Sequence, residues 1–177
     1  MEFSQLVKRR ASVRSFRPCE ISREELEQIA DAGRRAPTGY NRQPWEFILI
    51  RDPELIRRLG SVQGCIANAG AVIGVVIDSR ASDYWIEDAS AAIENMLLCI
   101  VDLGYDSLWV EGFLMRKEEE TKKMLGVPKA LRLLALLPVG IPAETPEQAP
   151  KRALEELIHW EYYGGRSPLR DDEVRMK

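Results

Sequence analysis

The sequence predicts an α+β fold in which helices pack around a mixed sheet. Segments with helical spacing of apolar residues alternate with segments of strand composition along the chain. The links between the predicted strands are not all long enough to contain the helix that a parallel crossover needs, so much of the sheet should be antiparallel. At 177 residues, the chain suits one domain spanning residues 1–177.

The first predicted elements are a helix, a loop and a strand. Ser22 and Glu25 have the S-x-x-E spacing of a capping box, and apolar residues then recur at helical intervals, which predicts a helix over 22–35. Residues 37–41 form a loop rich in turn-forming residues. The sequence WEFILI at 45–50 has the composition of a strand.

The middle of the chain predicts two further helices and a buried strand. Pro53 suits the first turn of a short helix over 53–59, where a missing N–H group costs nothing. The continuous apolar run at 69–77 should be a strand at the centre of the sheet, covered on both faces. Apolar residues at helical spacing predict a long helix over 84–103, which Gly104 would end.

Four shorter elements complete the domain. In chain order they are a strand running into a turn at 107–113, a helix at 117–125, a buried strand at 131–140 and a short helix near 153–160. Glu118 and Lys122 lie four residues apart on the first of these helices and should form an ion pair. The tail at 166–177 has no periodicity and could be disordered or lie on a partner subunit.

Composition and charge exclude several classes of protein. The chain is 45% hydrophobic and 30% charged with a net charge of −3, which indicates a folded protein and gives no reason to expect nucleic-acid binding. No apolar run approaches the ~20 residues of a membrane helix, and no secretory signal is recognisable. Three widely spaced cysteines outside any CxxC pattern fit reduced thiols, so we expect a cytoplasmic protein.

Several common catalytic sites have no counterpart in the sequence. The chain has one histidine and no cysteine cluster, so we expect no metal centre. It contains no G-x-S-x-G nucleophile motif and neither of the usual glycine-rich nucleotide loops. Any nucleotide cofactor must therefore be held in another way.

The stretch RRASVRSF at 9–16 contains a candidate anion site. In an extended segment alternate side chains share one side, so Arg10, Ser12 and Arg14 would point together. Guanidinium groups bind phosphate through paired, charged hydrogen bonds, and a hydroxyl adds a neutral one. The spacing alone also fits the solvated basic end of a helix.

A second motif, taken together with this stretch, resembles the pattern of a known protein family. RRASVRSF, about twenty residues of helix, and then APTGYNRQPWEFILI resemble the start of the nitroreductase family of flavoproteins. WVEGF at 109–113 is similar to an E-G-F turn of that family, and PKRALEELIHWEYY at 150–163 to its C-terminal segment. The resemblance implies a three-layer α-β-α fold with a mostly antiparallel sheet, and an intertwined homodimer with FMN at the subunit interface.

The resemblance also implies which residues contact FMN. One group would hold the phosphate and the ribityl chain: Arg10, Ser12, Arg14, and Lys151 or Arg152. A second group would be presented to the flavin by the other subunit: Pro37, Thr38, Gly39 and Asn41. Pro37 and Gly39 also fit ordinary turn positions, whereas Asn41 can donate and accept hydrogen bonds and is the better candidate for a specific contact.

Two further contacts are implied around the flavin ring. Gln63 would face its polar edge, with Asn68 as the alternative. Glu111 and Gly112 would place a backbone N–H near flavin N5, since a glycine permits close approach of the backbone. Gln43, Pro44 and Trp45 are interpreted chiefly as the structural lead into the following strand.

The implied activity is hydride transfer from NADH or NADPH through flavin N5 to an electron-poor acceptor such as a nitroaromatic or a quinone, in a ping-pong sequence. No catalytic side chain is required, because the cofactor carries the chemistry. Four aromatic residues could line the acceptor slot or could belong to the core or an interface: Tyr40, Tyr84, Trp85 and Phe113. The alternatives are a different flavin chemistry on the same fold, or a non-catalytic redox sensor or carrier.

Overall fold

The computed structural model describes residues 2–165, and the tail at 166–177 lies outside the described residues. The described strands are β1 Phe16–Arg17, β2 Trp45–Ile50, β3 Ala71–Ile77, β4 Asp106–Ser107 and β5 Arg132–Pro142. The described helices are α1 Phe3–Arg9, α2 Arg23–Arg34, α3 Pro53–Leu59, α4 Trp85–Asp102, α5 Gly112–Met115, α6 Glu118–Leu125 and α7 Leu154–Leu157. Short 3-10 turns occur at Gly39–Asn41 and Gly64–Asn68.

The sheet is organised around β3 and β5. Its strand order is β1-β5-β3-β2, and β4 also pairs with β5. All of these pairings are antiparallel, and the β3–β5 register shifts between Val75 and Val76. Every residue of β3 is buried, which confirms the prediction of a strand at the centre of the sheet. The antiparallel pairings confirm the prediction of a mostly antiparallel sheet.

Helices cover both faces of the sheet, which confirms the three-layer arrangement. On one face α2 and α4 contribute Ile29, Ile93 and Met96 to a core cluster, and all three are fully buried. On the other face α3 and α5 contribute Leu59 and Leu114 to a second cluster. Among residues 2–165, no helix has both the length and the apolar composition that crossing a bilayer requires.

The sequence signals that predicted the start of α2 and the end of α4 are present in the structure. Ser22 Oγ accepts from the Glu25 N–H at 3.1 Å, and Glu25 Oε2 accepts from the Ser22 N–H at 2.8 Å. This capping box confirms the predicted start of α2, and its hydrogen bonds lower the pKa of Glu25. Gly104 follows the end of α4 with a φ of 89°, a conformation that favours glycine.

The prediction of a strand over 107–113 was wrong. Only Asp106–Ser107 forms a strand; Val110 pairs with Leu136 as an isolated bridge, and α5 begins at Gly112. The Ser107 carbonyl accepts from the Val13 N–H at 3.0 Å. The segment therefore divides its backbone hydrogen bonds between β5 and the N-terminal segment, which no local pattern could indicate.

Two other predictions are corrected near the C-terminal half. Glu118 does not pair with Lys122: it accepts from Arg132 on β5, while Lys122 bonds to Glu119. The helix predicted near 153–160 spans only Leu154–Leu157. Helix α1 was anticipated only through the alternative of a basic helix end, and it contains no buried residue.

The Glu118–Arg132 pair gives a pH-dependent prediction. Glu118 has a side chain only 13% exposed and accepts from Arg132 Nε at 2.8 Å and from the Leu133 N–H at 3.0 Å. The hydrogen bond from Arg132 lowers the pKa of Glu118. We expect Glu118→Gln to reduce the free energy of unfolding at pH 7 by about 2 kcal/mol, measured by urea denaturation.

The sign of the pH dependence follows from the direction of the shift. Because the folded-state pKa is lowered, the stabilisation is complete above the unfolded-state pKa of about 4.3 and is lost as the pH falls through the folded-state value. The difference between wild type and Glu118→Gln should therefore shrink in acid. Glu120→Gln, at an exposed position of α6, is the matched control. A difference independent of pH would contradict the assignment.

Candidate functional site

The N-terminal segment and a C-terminal segment enclose a small cavity of about 230 Å³. Its lining is predominantly polar and comprises Arg10, Ala11, Ser12, Arg14, Glu147, Gln148, Ala149 and Lys151. The structure thus brings together four of the residues predicted to bind an anion, from positions more than 130 residues apart. We call this space the cationic cavity.

The backbone near Ser12 has the predicted extended form. Helix α1 ends at Arg9, and beyond it Ala11 and Val13 are buried while Ser12 and Arg14 are exposed. Ser12 bridges to Ser107, and the Ser107 hydroxyl donates to the Pro138 carbonyl at 2.7 Å. The alternative of a basic helix end therefore applies to the residues before Arg10, not to the cavity-lining side chains.

Gln148 joins the two walls of the cationic cavity. Its side-chain amide donates to the carbonyls of Val7 and Arg10, at 2.7 and 2.6 Å. The amide therefore fixes the C-terminal segment against the end of α1 and leaves the Arg10 side chain outside this contact. Nothing in the local sequence around Gln148 indicated this role.

The cationic cavity has an excess of positive charge. Arg14 makes one long hydrogen bond, 3.4 Å, to the Ser12 carbonyl. Within residues 2–165, Arg10, Arg14 and Lys151 form no ion pair, and Glu147 lines the cavity without pairing to any of them. Three cations against one carboxylate suit an anion with more than one negative charge.

Arg9 anchors the segment and was not identified from the sequence. Its guanidinium donates to Asp106 Oδ2 at 3.0 Å and to the Val101 carbonyl at 3.1 Å. Asp106 is fully buried, and burial raises its pKa while the Arg9 charge acts in the opposite direction. This pair ties the end of α1 to α4 and β4, immediately before the cavity begins.

The loop at 37–43 does not line the cationic cavity, and its backbone is strained. Tyr40, Asn41 and Gln43 have φ values of 53°, 56° and 47°, in the left-handed region where a non-glycine residue costs about 1–3 kcal/mol. Such conformations concentrate at functional sites. Pro44 and Trp45 are buried next to it, as expected for the lead into β2.

Gly39 of this loop has a packing role. A Cβ added to it would lie 2.6 Å from Cδ2 of Tyr84, so only glycine allows the backbone this close to the ring. Asn41 is exposed and is free to contact another molecule. Pro37 is exposed and Thr38 half-buried; the Thr38 Oγ1 accepts from the Gln43 N–H at 3.3 Å.

The structure separates the two candidates for the flavin edge. Gln63 is half-buried and precedes the 3-10 turn that contains Cys65. Burial raises the pKa of the Cys65 thiol in this turn, and the Arg14 charge opposes the rise. Asn68 instead lines a different cavity, next to Cys19 and other residues.

Glu111 and Gly112 lie at the start of α5. Gly112 is exposed, and a Cβ added there would meet nothing within 4 Å. Its N–H belongs to the first turn of the helix, where backbone donors have no acceptor within the helix. Neither residue lines the cationic cavity, but both follow β4, which bridges to Ser12.

Arg152 and two aromatic candidates have other contacts. Arg152 donates to Glu156 at 3.2 Å and does not line the cationic cavity, whereas Lys151 does. Trp85 stacks under Arg132, 5.7 Å from the guanidinium carbon, as a core contact would. Phe113 is 56% exposed.

Comparison with known proteins identifies the family to which this chain belongs. The sequence model described as "Nitroreductase family" matches residues 7–72 and 61–141. A protein of Archaeoglobus fulgidus, provisionally named an NADH dehydrogenase/NAD(P)H nitroreductase, is 32% identical over 171 residues, covering 90% of this chain and 98% of the relative. The chain belongs to the nitroreductase family.

Solved structures of nitroreductase relatives share the fold. A Bacteroides thetaiotaomicron protein with a similar provisional name superposes with a TM-score of 0.82 at 28% identity, covering 90% of this chain and 97% of the other. A provisionally named nitroreductase of Desulfovibrio desulfuricans, crystallised with FMN, gives a TM-score of 0.79 at 26% identity, covering 92% and 98%. The resemblance read from the motifs is therefore confirmed at the level of family and fold.

Proposed function

We propose that this member of the nitroreductase family is an FMN-dependent NAD(P)H oxidoreductase acting on electron-poor acceptors such as nitroaromatics or quinones. The observation that carries the proposal is the cationic cavity, where Arg10, Arg14 and Lys151 surround Ser12 without ion pairs within residues 2–165. The FMN complex of the Desulfovibrio desulfuricans relative and the NAD(P)H named for the Archaeoglobus fulgidus relative support the choice of cofactor and hydride donor.

The cavity fits the phosphate end of FMN. A phosphate monoester carries close to two negative charges at neutral pH, and taking it out of water is costly unless cations and hydrogen-bond donors replace the water. Arg10, Arg14 and Lys151 supply three charges, and Ser12 supplies a hydroxyl. Among residues 2–165, Glu147 is the one opposing charge in the lining, which leaves a net charge of about +2.

The remaining predicted residues would act on the ring. When bound, FMN supplies hydride-transfer chemistry between a nicotinamide and an acceptor, in a ping-pong sequence. The Gly112 N–H lies in the first turn of α5, where a backbone donor has no acceptor within the helix. Gln63 would meet the polar edge of the ring, and the loop bearing Pro37, Thr38, Gly39 and Asn41 would reach the ring from a second subunit.

Unpartnered apolar surface supports a homodimer. Helices α1 and α7 bury no residue in the single chain, although helices in proteins owe most of their stability to packing. Between residues 154 and 163 the chain exposes large apolar side chains: Leu154, Leu157, Ile158, Trp160, Tyr162 and Tyr163. Soluble monomers rarely leave such extensive apolar surface uncovered, so we infer that a second copy covers these elements.

The cavity is tested by the double variant Arg10→Ala with Arg14→Ala. We expect the wild-type protein to purify with FMN and to oxidise NADH or NADPH over many turnovers when a quinone is supplied. The double variant should lose most of its flavin and, with it, the turnover, because two of three cations are gone. Flavin absorbance and nicotinamide oxidation are the measurements.

The control is Arg23→Ala with Arg58→Ala, two exposed arginines outside the cavity, which should leave flavin content unchanged. Undiminished flavin in the Arg10/Arg14 variant would refute the assignment of the cavity. Reduction of the bound flavin without repeated turnover would instead indicate a redox carrier or sensor.

The dimer is tested by sedimentation of the purified protein. We expect a single species of twice the chain mass, and we expect the substitutions Leu154→Asp and Leu157→Asp together to shift it toward monomer, because charge on the exposed apolar segment opposes its burial. Glu155→Asp is the control in the same segment. A wild-type monomer that binds FMN at full occupancy would contradict the shared site.

A further inference from the structure

The loop at 37–43 needs support from outside itself. Its own hydrogen bonds are local: the Asn41 N–H donates to the Thr38 carbonyl at 3.1 Å, and the Gln43 N–H to Thr38 Oγ1 at 3.3 Å. These bonds shape the turn but do not fix its position on the protein. With left-handed φ at Tyr40, Asn41 and Gln43, the loop should relax unless another element holds it.

Asp88 on the first turn of α4 supplies that support. Its side chain is buried, with the residue 4% exposed, and Oδ1 accepts from the Gly39 N–H at 2.8 Å. Oδ2 accepts from the Ser82 hydroxyl at 2.6 Å, and Ser82 Oγ in turn accepts from the Tyr84 N–H at 3.1 Å. One carboxylate therefore joins the loop, the turn before α4 and α4 itself.

The carboxylate and the loop depend on each other. Within residues 2–165, Asp88 forms no ion pair, so uncharged donors and the N-terminal end of α4 must stabilise its charge. Losing the Gly39 bond would leave a buried carboxylate oxygen without a donor, which is strongly unfavourable. The Tyr84 ring packs on Gly39 and restricts movement of the loop from a second side.

We propose that Asp88 is a positioning residue of the cofactor site, acting through the Gly39 N–H to hold the loop so that Thr38 and Asn41 face the flavin. The proposal rests on the proposed function, because the loop's contact with flavin belongs to it. Asp88 itself need not touch the cofactor. Its effect should therefore fall on the ring contact rather than on the phosphate contact in the cationic cavity.

Hydrogen exchange tests the support directly. Exchange is followed by mass spectrometry on the full-length protein with FMN added in excess to every sample. In Asp88→Ala, peptides covering 37–43 should exchange about tenfold faster than in wild type, while peptides from the centre of α4 keep their protection. Glu87→Ala, the neighbouring exposed carboxylate on the same helix turn, should leave the loop unchanged.

Binding supplies the second readout. Asp88→Ala should raise the Kd for FMN and for riboflavin by the same factor of about ten, since the loop contacts the ring that both share. Asp88→Asn, which keeps the shape and an acceptor oxygen, should restore part of the loss. If Asp88→Ala does not fold, hydrogen exchange and flavin binding are both measured on Asp88→Asn and on Ser82→Ala.

The outcomes separate the two proposals. Unchanged exchange of the loop in a folded Asp88 variant would overturn the positioning role, whatever the protein binds. A loosened loop with unchanged flavin affinity would also overturn it while the proposed function stands. A wild-type protein that binds no flavin would defeat the proposed function, and the positioning of a flavin-binding loop would fall with it.

Discussion

Like charges gathered in one small cavity repel each other, and the site depends on how the fold enforces that arrangement. Arg10 and Arg14 are held by an extended backbone that bonds to Ser107, and Lys151 arrives from the far end of the chain, which the Gln148 amide fixes to the end of α1. Such an arrangement is unfavourable until an anion enters. In the proposed function, the phosphate of FMN is that anion.

The anchoring contacts lie next to the proposed binding residues, not among them. Arg9 bonds to the buried Asp106 immediately before Arg10, and Asp88 bonds to Gly39 two residues before Asn41. In both cases a buried carboxylate on one element holds a neighbouring segment by its backbone or by an adjacent side chain. The side chain of the half-buried Arg10 or of the exposed Asn41, which follows, takes no part in that contact. Precise sites generally need such support from the surrounding structure.

The features that depend on residues close together in the sequence could be predicted from local patterns. The capping box at Ser22, the apolar run of β3 and the alternation around Ser12 could be read directly, because each depends on residues a few positions apart. The pairing of Glu118 with Arg132, the divided hydrogen bonds of Ser107 and the role of Gln148 could not, since their partners are distant in sequence. For the site, motif resemblance gave the residues proposed to face the ligand, and it missed Arg9 and Asp88, whose contacts form only in the folded chain.

The central claim is that the cationic cavity recognises the phosphate of the cofactor, and comparing FMN with riboflavin tests it most directly. The two molecules share the ring and ribityl chain and differ in the phosphate, so calorimetric titration of the flavin-free protein isolates that contact. The account predicts that FMN binds at least a hundredfold more tightly than riboflavin, with an advantage that declines as salt screens the charges. Equal affinity for both would contradict it.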